Sequence, residues 1–567
     1  MQRSLHAAPG DQARAGHERR ETSSSPSNLV EPEMTIMAST RNKTLGFLVS
    51  LALLQLCTAA LAAPPQGLAE RVESLRKAIG AAGATVAIVE NGRVTFARGF
   101  GVTDISAPKP VDPDTIFSTG STGKAFTVAA IAILVEQGKL KWDDKVIDHM
   151  PDFRMWDPWV TREMTIRDLL VHRSGLGLGA GDLLFVPRSD LSRKETVRRL
   201  RYIKPATSFR SAYAYDNVLY MAAGELIEEV SGETWEQFVR DNIFRRLGMN
   251  HSTDSTADRL ANPNHARGHA RLNGPIRGTG DLVPLDPSSD VSRNSAPAGG
   301  LAISANDMAK WLNVQLAHGR LADGTRLFSE EQSQEMWKPV VLQPIGPSSA
   351  EMKPLQPMFR AYALGWDVQD YRGAKLIWHG GAVFGSLTSV ALLPDRNIGI
   401  FISINSEEGS LVRGLMYELL DHYLGLPRGN WPEKLNAARK QQRAQVIAAL
   451  NAPAAQSTKV GPSLALARYA GSYSDPWYGT ITIREENGRL AVDFPHSLGL
   501  KAMLDHHQYD TFKTRFNDPS MEPAYVTFGI GPDGKVDRIT MRAVSPLADF
   551  SFDYQDLLFT PASAPTR

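Results

Sequence analysis

Phe117-Ser118-Thr119-Gly120-Ser121-Thr122-Gly123-Lys124 runs directly into the apolar stretch Ala125 to Leu134. If that stretch is a helix, residues i and i+3 share a face, and the Lys124 amine reaches the Ser121 hydroxyl. A serine is a poor nucleophile until a base takes its proton, and a lysine serves as that base only where burial or nearby positive charge lowers its pKa. A helix N-terminus adds free N–H groups and a positive dipole end, which favour an oxyanion and disfavour an ammonium. Read alone, the motif serves equally as a helix N-cap. Ser74-Leu-Arg-Lys77 has the same spacing and reads as a solvated helix face.

Two further groups have suitable chemistry. In Tyr215-Asp216-Asn217 a phenol can relay protons between nucleophile and leaving group, and an amide two residues on can hold both lysine and substrate carbonyl. Without a partner site the pair is a core tyrosine beside a turn asparagine. His379-Gly380-Gly381 is the only His-x-Gly in the chain. Glycines there, Gly381 above all, let a substrate backbone lie along a strand edge, and the Ala382 N–H can pair with that of Ser121 as an oxyanion hole. Ser304-Ala305-Asn306, a rival to the tyrosine element, reads with Asp307 as an ordinary helix start.

The elements that must position these groups follow from pattern. Leu68 to Ala81 has helical spacing, and two apolar runs flank Asn91-Gly92, the signature of a tight hairpin. Amphipathic segments follow at Ala125 to Gln137, Ile166 to Val171, Val218 to Val230 and Glu236 to Leu247. Strand-like runs return at Ala361 to Val368, Leu387 to Leu393 and Gly399 to Ile404. Strands, many helices, then strands predict an α+β layered domain whose two ends complete one sheet. From Leu464 to Phe559 alternating runs hinge on Asn487-Gly488 and Pro532-Asp533-Gly534, as in an all-β meander or small barrel. The division is 1–63 leader and signal peptide, 64–426 layered domain, 427–463 helix and linker, and 464–567 β domain.

The order Ser-x-x-Lys, Tyr-x-Asn, basic residue-x-Gly resembles the motif set of the penicillin-recognising serine enzymes: class C β-lactamases, D-aminopeptidases and family VIII esterases. The resemblance covers about Ala84 to Gly425, with supporting stretches at Met164 to Leu176, Gly224 to Gly232, Leu247-Gly-Met249 and Pro297-Ala-Gly-Gly-Leu301. It implies an antiparallel sheet flanked by helices with an all-helical insertion, the site lying between them. The C-terminal unit resembles the lipocalin-like domain that trails such enzymes. By this resemblance Ser121, Lys124 and Tyr215 are catalytic, Asn217, His379 and Gly381 bind substrate, and Ser121 and Ala382 form the oxyanion hole. No metal or cofactor is implied. One departure bears on substrate: Lys-Thr-Gly is usual where this chain has His379-Gly380-Gly381. A histidine is mostly neutral at pH 7, so carboxylate capture and β-lactam turnover should be weak. Gly177 to Pro205 and Lys338 to Phe359 are expected to be rim loops that set specificity.

Composition excludes other classes. With 62 Lys+Arg against 61 Asp+Glu, the 567-residue chain has no electrostatic footprint for nucleic acid. Its one cysteine, Cys57, supports neither a disulfide framework nor a thiolate metal site. Gly-x-Ser-x-Gly and zinc-protease helix motifs are lacking, and His265 and His269 have no carboxylate placed to complete a metal site. The basic pair Arg41 and Lys43, the apolar run Leu45 to Leu56 and Ala60-Leu61-Ala62-Ala63 read as a cleavable secretory signal behind an internal start codon. Export to the periplasm or medium is expected, with no stable membrane insertion after cleavage. Three functions remain open: a peptidase or amidase acting through an acyl-enzyme, a carboxylesterase or weak β-lactamase with the same machinery, and a non-catalytic peptide- or cell-wall-binding protein. The partner is a small peptide, amide or ester, and oligomeric state is not legible. The β domain holds no motif residue and is expected to be separable from the chemistry.

Overall fold

The computed structural model describes residues 63–287, 292–452 and 460–562. The leader, Cys57 and nearly all of the signal segment therefore lie outside the described residues, as does part of the linker.

Strands β1 (Gly83–Glu90) and β2 (Arg93–Gly101) form the hairpin expected at Asn91-Gly92, where both turn residues have positive φ, 50° and 77°. The remaining strands of this sheet come from the other end of the layered domain: β3 (Val341–Leu342), β4 (Arg360–Tyr362), β5 (Asp367–Tyr371), β6 (Ala374–Val383), β7 (Ser386–Leu393) and β8 (Ile398–Ile404). Their order is β2-β1-β8-β7-β6-β5-β4-β3, and β1 joins β8 in the register Val86↔Ile402. The two ends of the domain thus close one antiparallel sheet. Alternation assigns its faces. Val86, Ile88, Ile400, Ile402 and Ile404 pack against helices α1 (Leu68–Ile79) and α5 (Gly409–Tyr423), while Ala87, Val89 and Phe401 face the opposite layer.

That layer is built around α2 (Lys124–Glu136), buried at every position from Lys124 to Leu134, with α3 (Val218–Ser231) and α4 (Ala305–Leu316) beside it. A helix that is apolar all round belongs at the centre of a core. Ser304 caps α4, as its sequence suggests, by accepting the Asp307 N–H. Ser74 and Lys77 stand on the exposed face of α1.

One segment differs from its sequence reading. Ala361 to Val368 is two strands, β4 and β5, because the chain reverses at Gly365 (φ 74°), against which α2 packs so closely that a Cβ would sit 3.0 Å from Val128.

After α6 (Trp431–Asn451), eight antiparallel strands form a closed barrel: β9 (Gly471–Asp475), β10 (Gly479–Glu486), β11 (Arg489–Asp493), β12 (Lys501–Gln508), β13 (Thr511–Phe516), β14 (Ala524–Ile530), β15 (Val536–Ala543) and β16 (Leu558–Pro561). Ile481, Ile483, Leu490, Val492, Val526 and Phe528 alternate inward, and this core is continuous with that around α2. Among the described residues no helix is long and apolar enough to cross a membrane.

Candidate active site

Ser121 lies in a single 3₁₀ turn, Gly120–Gly123, that leads into α2, and it remains partly accessible. One turn on, Lys124 is wholly buried. Its Nζ donates to Ser121 Oγ at 3.1 Å, Asn217 Oδ1 at 2.7 Å and the Ala298 carbonyl at 2.9 Å. The amine also lies 4.8 Å from the Tyr215 ring centre and 5.0 Å from that of Tyr220. Burial pushes it down to about 7 against the pull of Asp182 and Asp216. A lysine near neutrality can accept the serine proton, the requirement set by its sequence position.

Tyr215 and Asn217 lie just before and at the start of α3. The buried Tyr215 hydroxyl makes no hydrogen bond of good geometry among the described residues, and burial raises its pKa well above the ordinary value, opposed first by a weak hydrogen-bonding approach to Ser121. It is therefore a protonated phenol beside the nucleophile, free of any strong partner. Asn217 spends its oxygen on Lys124 and donates through Nδ2 to Asp182 at 2.9 Å, so its amide is turned to the base.

His379 lies on β6. Strand β5 pairs only with Ala374–Trp378, so among the described residues no strand covers that side of His379 to Val383, whereas β7 pairs along the other side. Gly381 is required by close approach: a Cβ there would meet the Thr119 carbonyl oxygen at 2.0 Å and the Ser121 nitrogen at 3.2 Å. A Cβ on Gly120 would lie 2.6 Å from the Ala382 nitrogen. The backbones bearing both expected oxyanion donors thus run side by side.

The imidazole itself is turned inward. It is only 4% exposed, with Nε2 2.8 Å from the Tyr362 hydroxyl and Nδ1 2.6 Å from the Gly380 carbonyl. That pairing assigns the proton to Nδ1 and makes Nε2 the acceptor. Burial lowers the ring to about 4, so it is neutral through the physiological range and does not titrate there.

Four residues given no role from sequence complete the surroundings. His172 packs at a tilt against Tyr215, ring centres 4.1 Å apart, and against Tyr362 at 4.4 Å, and burial lowers its pKa. Its signal was the family-like stretch Met164 to Leu176. Asp216 stood between Tyr215 and Asn217 in plain view; it is wholly buried and accepts a hydrogen bond from Ser174 at 2.8 Å. Asp182 and Tyr362 carried no local signal. Asp182 is also wholly buried, and burial pushes it up to about 8.

The expected rim divides in two. Lys338 to Phe359 is mostly exposed, with Leu342 at 76% and Met358 at 81%, although Gln343 is buried. Gly177 to Pro205 is instead the surface on which the barrel docks. Asp553 accepts from the Gly181 and Leu183 N–H groups at 2.7 and 3.1 Å, Ser497 donates to the Leu183 carbonyl at 3.2 Å, and Arg199 donates to the Trp477 carbonyl at 3.2 Å. The β domain is joined to the layered domain by these contacts. Its motif content said nothing of them, because they use backbone groups and residues far apart in sequence.

Comparison with known proteins agrees with this geometry. Residues 68–418 match the Beta-lactamase family model, and the chain belongs to that family. It is a serine hydrolase of the β-lactamase-related group. Residues 455–561 match a domain of unknown function, DUF3471. The chain is 30% identical over 436 residues to "Unguisins hydrolase ungD'" of Aspergillus campestris, covering 72% of this chain and 76% of that protein. It is 26% identical over 365 residues to penicillin-binding protein 4 of Amycolatopsis lactamdurans, covering 63% of this chain and 90% of the relative. The structure of an octameric penicillin-binding protein homologue from Pyrococcus abyssi shares the fold with TM-score 0.52 and 22% identity, over 84% of this chain and 98% of that one.

Proposed function

We propose that this hydrolase cleaves peptide or amide bonds through an acyl-enzyme on Ser121. The observation that carries the reading is the buried Lys124 amine, 3.1 Å from Ser121 Oγ and lowered to about 7. Lys124 takes the hydroxyl proton as Oγ attacks the carbonyl, and the N–H groups of Ser121 and Ala382 receive the oxyanion. The leaving nitrogen needs a proton as its bond breaks. Tyr215, a buried phenol that stays protonated, supplies it and recovers one from Lys124. Water then attacks the acyl-enzyme by the same route in reverse. An amine leaves poorly without an acid beside it, so the phenol equips this site to release an amine as well as an alcohol.

His379 acts as a neutral support for the β6 edge, along which the substrate lies past Gly381. With an uncharged ring in place of an ammonium, the site favours substrates that present no carboxylate there, and β-lactams are poor substrates. The fungal relative's name, an unguisins hydrolase, supports hydrolysis without specifying the bond. The chain is exported to the periplasm or medium after cleavage behind Ala63, with division into 64–426, 427–463 and 464–567. N-terminal sequencing of the exported chain checks this by finding Pro64 first.

The function is tested with a panel of D- and L-aminoacyl amides, short acyl p-nitrophenyl esters and a chromogenic cephalosporin, each with a Ser121→Ala control. Turnover of amides, lost in the control, is expected. Turnover confined to esters would establish the carboxylesterase reading, and preferred turnover of the cephalosporin would overturn the role given to the neutral His379.

A further inference from the structure

The barrel does more than dock beside the site. Its loop 544–557, between β15 and β16, lies against residues 177–186. Phe550 sets its ring edge-on to Tyr215, centres 5.9 Å apart. Ser551 donates to Asp182 Oδ2 at 2.7 Å, the same oxygen that accepts Asn217 Nδ2 at 2.9 Å. Lys124 Nζ then donates to the oxygen of that amide at 2.7 Å and to Ser121 Oγ at 3.1 Å. A continuous series of hydrogen bonds therefore joins the barrel to the nucleophile.

We propose that Ser551 is a positioning residue for the reaction: it fixes Asp182, and through Asn217 the amine of Lys124, so that the C-terminal barrel completes the base. The inference rests on the assignment of Ser121 and Lys124 made above. Asp182 is balanced between its two states. Burial favours the acid, whereas Ser551 and Asn217, both donating to Oδ2, favour the carboxylate; Oδ1 has no partner among the described residues. The carboxylate in turn favours the ammonium form of Lys124.

The other groups around this pair come from every neighbouring element. Asp216 precedes α3 and also favours the ammonium; Tyr215 and Tyr220 present ring faces to it. His172 and, on β6, His379 have their pKa lowered by burial, and Asp367 on β5 opposes this at both. From the barrel loop come Asp549 and the buried Asp553, whose pKa burial raises well above the ordinary value. Loss of the Ser551 hydroxyl lets Asp182 keep its proton to higher pH. Less negative charge then faces Lys124, which gives up its proton at lower pH, and the two groups titrate as a pair.

The test is the rate at which a fluorophosphonate labels Ser121 in the full-length protein, measured against pH. Ser551→Ala should move the acid limb down by about half a pH unit and lower the plateau several-fold. Ser551→Thr, which keeps the hydroxyl, should restore both. A purely structural role would lower the plateau or the melting temperature and leave the limb in place. If wild type is labelled at Ser121 and the Ser551→Ala limb coincides with it, or if Ser551→Thr is displaced as far as Ser551→Ala, this inference fails alone. If wild type is not labelled at Ser121, the proposed function fails with it.

Discussion

Replacing Lys124 with methionine should change stability in a way that depends steeply on pH. The amine is wholly buried and titrates near 7 instead of 10.5. Below about 7 it is charged in both folded and unfolded chains, and the full cost of burying that charge is present. Between 7 and 10.5 only the unfolded chain keeps the proton, so the folded state gains stability as pH rises. For one group with these two values the gain from pH 7 to 9.5 is about 3 kcal/mol. Asp182, raised to about 8, works in the opposite sense between roughly 4 and 8, because the folded state keeps a proton that the unfolded chain has lost. It is present in both proteins, but the Lys124 charge lowers its pKa, so in the variant it keeps its proton to higher pH and the pair's difference widens in the same direction. Methionine removes the charge and also the bonds to Ser121, Asn217 and Ala298, each worth about 1 kcal/mol net. At pH 7 that loss roughly offsets the relief of about 4 kcal/mol of charge burial. Equilibrium urea unfolding should therefore find Lys124→Met within about 1 kcal/mol of wild type at pH 7, and the difference should move against the variant by about 3 kcal/mol between pH 7 and 9.5. An equal difference at both pH values would refute the reasoning, since it would mean that the folded protein holds Lys124 charged throughout.

The remaining expectations concern single groups. Tyr215→Phe removes a buried hydroxyl that has no well-formed hydrogen bond among the described residues, so stability should hold or rise slightly while kcat for an amide falls about 10²-fold or more; near-normal turnover would return Tyr215 to a packing role. With its ring near 4, His379 adds no limb between pH 5 and 9, and His379→Gln should keep the shape of the kcat/KM profile, rising through about 7 as Lys124 loses its proton. Loss of that limb in the variant would make histidine the titrating group. Gly381→Ala drives a Cβ into the Thr119 carbonyl, and a fall in melting temperature together with loss of serine labelling is expected.

Much of this was legible because the cues were local. Asn91-Gly92 and Asn487-Gly488 announce their hairpins through residues that tolerate positive φ, and an apolar run behind Lys124 announces a buried helix and with it a depressed amine. Ser304 announced its own cap. What escaped depends on contacts between distant segments. Asp182 reads as one more acid in a loop until Ser551, 369 residues away, donates to it. Nothing near His379 shows that Tyr362 will occupy its Nε2; the sequence offers only an ordinary imidazole, mostly neutral at pH 7. The turn at Gly365 was hidden because the run around it is apolar on both sides, and only the approach of α2 explains the reversal.

The central claim is that Ser121 is the acylated residue and Lys124 its base. Intact-mass and peptide mass spectrometry of the protein quenched during turnover of an amide substrate, or after reaction with a fluorophosphonate, tests it most directly. The account predicts one adduct, on the peptide that contains Ser121, absent in Ser121→Ala and formed at least about 10³-fold more slowly in Lys124→Met. An adduct on any other serine, or one that forms at the wild-type rate without the Lys124 amine, would contradict it.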